Sequence, residues 1–350
     1  MCALTLIGLG IYGYEGLTEK GYNVAVNSDI LYIDTYTNVV TSEQISSIEK
    51  HLNRKILSVG REFLENGEQI LSESIDNNVS LLVSGDPIVA TTNTDLLIRA
   101  SEQNIDAKVI HNSSILSSIP GETGLHAYKF GRTVTSTKEP GSKLITVYHA
   151  VYDNLVLGLH TIILMEYNSS KNDNLTVNQT LNNLLSSEND YGYNVFSKNT
   201  LLIILSRIGF NDQKIITGQL SNLTSLDYGE HPHTLILPGK LHFSEIDSLS
   251  VLSDQLHGDI KDDNASNVKR ISTSMVTKYT SRTIDALNKA KKIKGNDSKF
   301  KVLFENVEAY VSDSERFLNE GRSELAVLSI GYAEGLLDSL RFTGELDIEW

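Results

Sequence analysis

Five short apolar runs, at residues 3–9, 30–33, 56–59, 79–83 and 108–110, are rich in aliphatic and β-branched side chains, and segments long enough for crossover helices separate most of them. A parallel strand pair needs a long crossover, and the crossover helices bury the sheet on both faces, so its strands are apolar throughout instead of alternating. The pattern therefore sets a parallel α/β domain over residues 1–123. From residue 124 the spacing changes. Strands are expected at 144–148, 161–167, 201–206 and 234–237, and within 174–187 Leu181, Leu184 and Leu185 fit one face of a helix. Residues 124–260 are expected to form a second α/β domain on a mixed sheet.

The stretch GDIKDDNASN at 258–267 has only Ile260 and Ala265 as apolar side chains. It buries too little to offset the entropy of ordering, and a linker is expected over 261–269. Beyond it, 274–294, 300–319 and 323–342 show helical periodicity. In the middle segment Leu303, Val307, Tyr310, Val311, Ser314, Phe317 and Leu318 line one stripe, and Gly295 and Gly321 stand where helices should stop. A three-helix antiparallel domain is expected over 270–350.

The formal net charge is −14, with 17 Lys and Arg against 31 Asp and Glu in residues 1–265 and 13 against 13 in the remainder. An acidic surface repels phosphate backbones, which argues against nucleic acid as the direct substrate. The single cysteine, Cys2, excludes an intrachain disulfide and a multi-thiolate metal site, and fits a cytoplasmic setting. Residues 1–10 lack the basic lead-in of a signal peptide and read as a buried first strand. No apolar run approaches the roughly 20 residues needed to span a bilayer.

Gly8, Gly10 and Gly13 form GxGxxG directly after the first expected strand, and Asp34 closes the second. This is the dinucleotide-binding fingerprint, although a tight turn with no ligand gives the same letters. A pyrophosphate clamp needs a helix starting inside the motif. Here Tyr12, Tyr14 and Gly16 intervene before a plausible cap at Thr18. A second glycine site, Ser84-Gly85-Asp86-Pro87, follows the fourth apolar run, with the hydroxyls of Thr91 and Thr92 close behind. Asp86 at that strand end could accept from an ammonium or a ribose hydroxyl, or simply cap the helix expected near Thr91. On residue chemistry alone, capping is the plainer role.

The run GDPIVATTNTDLLIRA resembles the GDP-x-x-ATT segment of the diphthine synthase family. IGLGIYG resembles the family's opening, and HNSSILSSIPGETGLHAYKFG, LHTIILMEY, ILSRIGFNDQKIITG and GEHPHTLILPGKLH follow in the family's order. The resemblance covers nearly all of residues 1–260. It implies a two-domain class III methyltransferase of the tetrapyrrole methylase type, with S-adenosylmethionine bent between the domains and S-adenosylhomocysteine as product. Carried over by position, the implied cofactor contacts are Ile11, Asp86, Val89, Ser114, Ile115, Met165, Ile208 and His233. Without the resemblance, the apolar members read as ordinary core and His233 as a structural histidine.

The implied substrate is the 3-amino-3-carboxypropyl-modified histidine of translation elongation factor 2, methylated on its amine in diphthamide biosynthesis, and the family implies a homodimer. No residue stands out as the proton acceptor. The chain departs from the family at Gly13, where an acidic residue is usual, and at Asn93, where His is usual. The segment FENVEAYVSDSERFLNEGRSELAVLSIGYAEGLLDSL resembles a small archaeal helical family of unknown function. Glu334 and Asp338, one turn apart there, could suggest a metal, but a solvated helix face is the commoner cause. A related tetrapyrrole methylase, a Rossmann oxidoreductase and a non-catalytic S-adenosylmethionine-binding adaptor stay open as alternatives.

Overall fold

The computed structural model describes residues 3–37, 40–138, 141–167, 174–260 and 263–346, with side-chain detail omitted at 141–144. Cys2 lies outside them. The chain divides into two compact units, residues 1–267 and 268–350.

The first unit contains two sheets. Strands β1 (Ala3–Gly8), β2 (Ile30–Asp34), β3 (Leu57–Val59), β4 (Asn78–Val83) and β5 (Asp106–Ile110) form an all-parallel sheet in the order β3-β2-β4-β1-β5. Each matches one of the five apolar runs. Two hydrophobic clusters cover its opposite faces. Leu4, Leu6, Leu81 and Val83 belong to one, and Ile7, Leu31, Ile33 and Leu82 to the other. This two-sided burial explains the uninterrupted apolar strands.

The second sheet is mixed, as expected: β6 (Val134–Ser136), β7 (Thr161–Met165), β8 (Leu201–Ser206), β9 (Lys214–Gln219), β10 (His233–Leu237) and β11 (Gln255–His257) lie in the order β11-β9-β8-β10-β7-β6. The central pairings are antiparallel and the two edge pairings parallel. Residues 144–148, expected as a strand, instead lie within the helix Gly141–Val156. Val147, Val151 and Leu155 are buried at four-residue intervals, so the apolar run continues with helical period beyond the window that suggested a strand.

Part of the expected linker is folded into the first unit. Asn264 begins a short helix, Asn264–Asn267, and is 3% exposed. Its side chain accepts from Leu201 N–H (2.9 Å) and donates to the carbonyls of Leu201 (2.9 Å) and Pro238 (2.8 Å), imitating a strand partner for β8. A polar stretch can be ordered when its side chains satisfy buried backbone groups, which composition does not register. Residues 261–262 of that stretch lie outside the described residues.

Glu245 ties together the end of the second sheet at which β7 begins and β10 ends. It is fully buried, and its Oε1 accepts from His126 N–H (2.8 Å) and His160 Nε2 (2.9 Å). Its Oε2 accepts from His242 N–H (2.7 Å) and from Lys129 Nζ. Gly239 N–H donates to His160 Nδ1 (2.9 Å), which fixes the neutral Nε2–H tautomer that burial also favours.

The second unit is a bundle of three helices, Ile271–Lys294, Ser298–Asn319 and Ser323–Phe342. The expected stripe supplies much of its core, with Val307, Val311 and Ser314 buried beside Phe304, Ile330 and Leu337. Asp338 pairs with Arg341 at 3.1 Å, whereas burial of Glu334 raises its carboxyl pKa, and its Oε1 has no hydrogen bond among the described residues. The face carrying Glu334 is therefore only partly solvated.

Burial alone would push the Glu245 carboxyl upward, but hydrogen bonds from Lys129, His126, His242 and His160 outweigh it and hold the pKa at about 2. A carboxyl whose folded pKa is depressed stabilises the fold above its unfolded pKa and loses that contribution as pH falls through the folded value. The unfolding temperature should therefore drop as pH falls from roughly 4.5 towards 2, and Glu245→Gln should remove that part of the dependence. Glu245→Ala, which strands Lys129 and His160, should cost about 3–5 kcal/mol in urea denaturation at neutral pH.

Candidate functional site

In a parallel sheet, ligands bind beyond the carboxyl ends of the strands. The turns after β1, β4 and β5 meet there because β1 lies between β4 and β5. Gly10 and Gly85 exchange backbone hydrogen bonds (3.1 and 2.9 Å), both in the left-handed region with φ of 69° and 78°. Glycine is favoured at both, since a side chain is strained there. Asn112, after β5, donates from Nδ2 to the carbonyls of Gly8 (2.8 Å) and Gly16 (2.9 Å).

Asp86 is 5% exposed, and its Oδ1 accepts from Ile88 N–H at 3.1 Å. Its Oδ2 accepts from Asn112 N–H (3.1 Å) and His111 Nδ1 (2.9 Å). Burial favours the neutral acid, but the bonds from Ile88, His111 and Asn112 prevail and lower the pKa, keeping the carboxylate ionised. Asp86 does not cap the next helix, which starts only at Thr94. The intervening turn, with Ala90 at φ 57°, is held by Thr91 Oγ1 and Asn93 Nδ2, both donating to the Pro87 carbonyl (2.9 and 3.0 Å).

The dinucleotide reading fails on geometry. Gly13–Gly16 form a 3-10 turn, and the helix starts at Glu19 with Thr18 accepting from Gly21 N–H. Asp34 is 1% exposed and committed to Tyr36 N–H (2.7 Å), Thr37 N–H (3.0 Å) and the Thr37 hydroxyl. It is not available to a ribose.

Ser114 caps the helix Ile115–Thr123 through a reciprocal box with Ser117. Ile11, Ile115 and Ile119 share a hydrophobic cluster with Leu164 and Leu205 of the second sheet and with Ile208 just beyond β8. Gly209, at φ 90°, lies so close to Ile11 that an added Cβ would sit 2.0 Å from the Ile11 carbonyl oxygen. These contacts bring the two halves of the unit together around a cleft of about 550 Å³.

All eight residues singled out from the sequence line this cleft: Ile11, Asp86, Val89, Ser114 and Ile115 from the first half, Met165, Ile208 and His233 from the second. His233 Nε2 donates to the Tyr228 carbonyl (3.1 Å), and Nδ1 is buried without a partner among the described residues. Burial lowers the pKa of this imidazole. Gly13 and Asn93 are not among the lining residues. Several that are were not anticipated, among them Tyr36, Thr37, Arg61, Glu166, Tyr167 and Phe210. The carboxyl-end rule could have found four, since Tyr36 and Thr37 follow β2, Arg61 follows β3, and Glu166 is the residue after β7.

Residues 3–224 match the family described as Tetrapyrrole (Corrin/Porphyrin) Methylases, and residues 278–346 match a Protein of unknown function (DUF357). The chain is 38% identical over 264 residues to the diphthine methyl ester synthase of Dictyostelium discoideum, covering 69% of this chain and 95% of that protein. It is 36% identical over 258 residues to the diphthine synthase of Methanocaldococcus jannaschii, covering 72% of this chain and all of that protein. A crystal structure of diphthine synthase superposes with a TM-score of 0.64 at 25% identity, over 72% of this chain and 96% of the other.

Gly209→Ala tests how the halves are joined. The Ile11 turn would have to move to admit the Cβ, so the variant should lose about 1–3 kcal/mol or more in chemical denaturation, and binding of S-adenosylhomocysteine should weaken with it. The chain belongs to the tetrapyrrole methylase family and, within it, to the diphthine synthases.

Proposed function

We propose that the cleft holds S-adenosylmethionine and presents its methyl group to the amine of a 3-amino-3-carboxypropyl-modified histidine on translation elongation factor 2. Family membership makes the chain an S-adenosylmethionine-dependent methyltransferase of diphthamide biosynthesis, acting on a protein substrate. The observation that carries the finer reading is the convergence of all eight implied contacts on one cleft. Their chemistry suits the ligand. Ile11, Val89, Ile115, Met165 and Ile208 offer apolar walls for adenine and the thioether region, and the ionised Asp86 and the Ser114 turn supply polar orientation. The volume falls within the roughly 300–1,000 Å³ usual for small-molecule sites. His233 is proposed to contribute through its backbone, since its imidazole is turned to Tyr228.

Bound S-adenosylmethionine supplies an electrophilic methyl carbon. The N–C bond forms as the C–S bond breaks, its electron pair stays on sulfur, and the amine proton leaves to solvent. For the chain itself, the work is positioning: fixing both reactants in line can account for about 7–11 kcal/mol of barrier reduction. The apolar walls exclude water around the sulfonium. A homodimer and a cytoplasmic location belong to this proposal. Among the described residues no helix is long and apolar enough to cross a membrane.

Incubation with elongation factor 2 carrying the modified histidine should produce one-methyl mass increments that require S-adenosylmethionine. Asp86→Ala should weaken S-adenosylhomocysteine binding in calorimetry by about tenfold or more, the usual scale for losing a charge-assisted hydrogen bond. Binding without any mass increment would favour the adaptor reading.

A further inference from the structure

Two charged residues of the cleft are left over once the cofactor contacts are assigned, and they come from opposite halves of the unit. Arg61 is the first residue of the helix Arg61–Asn66, immediately beyond β3. Among the described residues it is the single Lys or Arg lining the cleft. Its Nε donates to Glu65 Oε1 (2.7 Å) and its guanidinium carbon lies 5.3 Å from the centre of the Tyr36 ring, while both Nη groups carry no hydrogen bond among the described residues. Glu166 directly follows Met165 of β7. Its Oε2 accepts from Lys138 N–H at 2.9 Å, and among the described residues Oε1 accepts from none. The hydrogen bond to Glu65 is the main cause that holds the guanidinium charged, and the negative charge of Glu166 adds the smallest contribution.

We propose that Arg61 and Glu166 form the acceptor end of the cleft, Arg61 taking the carboxylate and Glu166 facing the amine of an α-amino acid group. This rests on the function proposed above and adds how the acceptor is recognised. A 3-amino-3-carboxypropyl chain carries an anion and a cation on one carbon, so a complementary site needs opposite charges on two sides. A guanidinium with two free Nη groups matches a carboxylate bidentately, which a lysine cannot do. Glu166 accepts N–H bonds from the amine at first and remains its counter-charge as methyls replace hydrogens. The rings of Tyr36 and Tyr167 border the same cleft and suit a methylated ammonium. A surface role for Arg61, pairing with Glu65 one turn on, would by itself contribute little.

Steady-state methylation of elongation factor 2 carrying the modified histidine, alongside calorimetry with S-adenosylhomocysteine, tests the pair. Arg61→Ala and Glu166→Gln should each raise KM for the protein acceptor about tenfold or more, with affinity for S-adenosylhomocysteine within about twofold of the parent. Arg61→Lys should recover part of the loss, because charge is restored without the fork. An unchanged acceptor KM in Arg61→Ala, or a parallel fall in S-adenosylhomocysteine affinity, overturns the inference while the parent's activity keeps the function. A parent protein that binds S-adenosylhomocysteine but transfers no methyl overturns both.

Discussion

The side chain of Asn112 sets the geometry of the cleft. One amide group reaches the carbonyls of Gly8 and Gly16, at the start and end of the first turn, while its own backbone N–H binds Asp86 in the second. Three loops from three strands are thereby referred to one residue. An added Cβ on Gly8 would approach both Asn112 Cβ and Gly85 O to 2.7 Å, so the first strand must end in glycine for the three to close. The position of Asp86, and the ionisation its hydrogen bonds enforce, follow from that closure.

The second sheet is fixed from its other end. His160 immediately precedes β7 and Gly239 lies just past β10, and both are bound into the Glu245 cluster. The cleft residues Met165 and His233 lie at the opposite ends of those same strands. A buried carboxylate is tolerable there because every lone pair it presents meets a donor. The two carboxylates Asp86 and Glu245 thus follow one rule to different ends, the first partly open to a cleft and the second wholly committed to holding strands in register.

How much of this the sequence disclosed depended on how local the cause was. The parallel strands were legible because each is buried on both faces and writes its burial into consecutive letters. The helix Gly141–Val156 was misread from a five-residue window, where strand and helix periods look alike. Asp86 offers two local roles, and what denies it the capping one is its engagement with His111 and Asn112, which follow another strand and lie 25 and 26 residues away. Asn264 looked like linker because its partners, Leu201 and Pro238, are distant in sequence. Of the eight cleft residues only Asp86 is signalled by its own chemistry; the others rest on family resemblance, since isolated isoleucines and a methionine carry no chemical signal of their own. Arg61 and Glu166 follow strands of two different sheets, and a charged residue on an acidic chain reads as surface until the two sheets meet at one cleft.

Neither of the departures, at Gly13 and Asn93, lines the cleft, and each bears on the shape of a loop beside it. Asn93 is 3% exposed and donates to the Pro87 carbonyl, so it governs the curvature of the turn that carries Val89 into the cleft. Gly13 sits at φ 59° with open space where a Cβ would lie, so a side chain there would be strained by the backbone and not by crowding. Both positions lie in loops that contribute residues to the cleft without themselves lining it. On the function proposed above, positioning is the chain's main contribution to the rate, so loop shape is where relatives sharing one cofactor can come to differ in the acceptor geometry they favour.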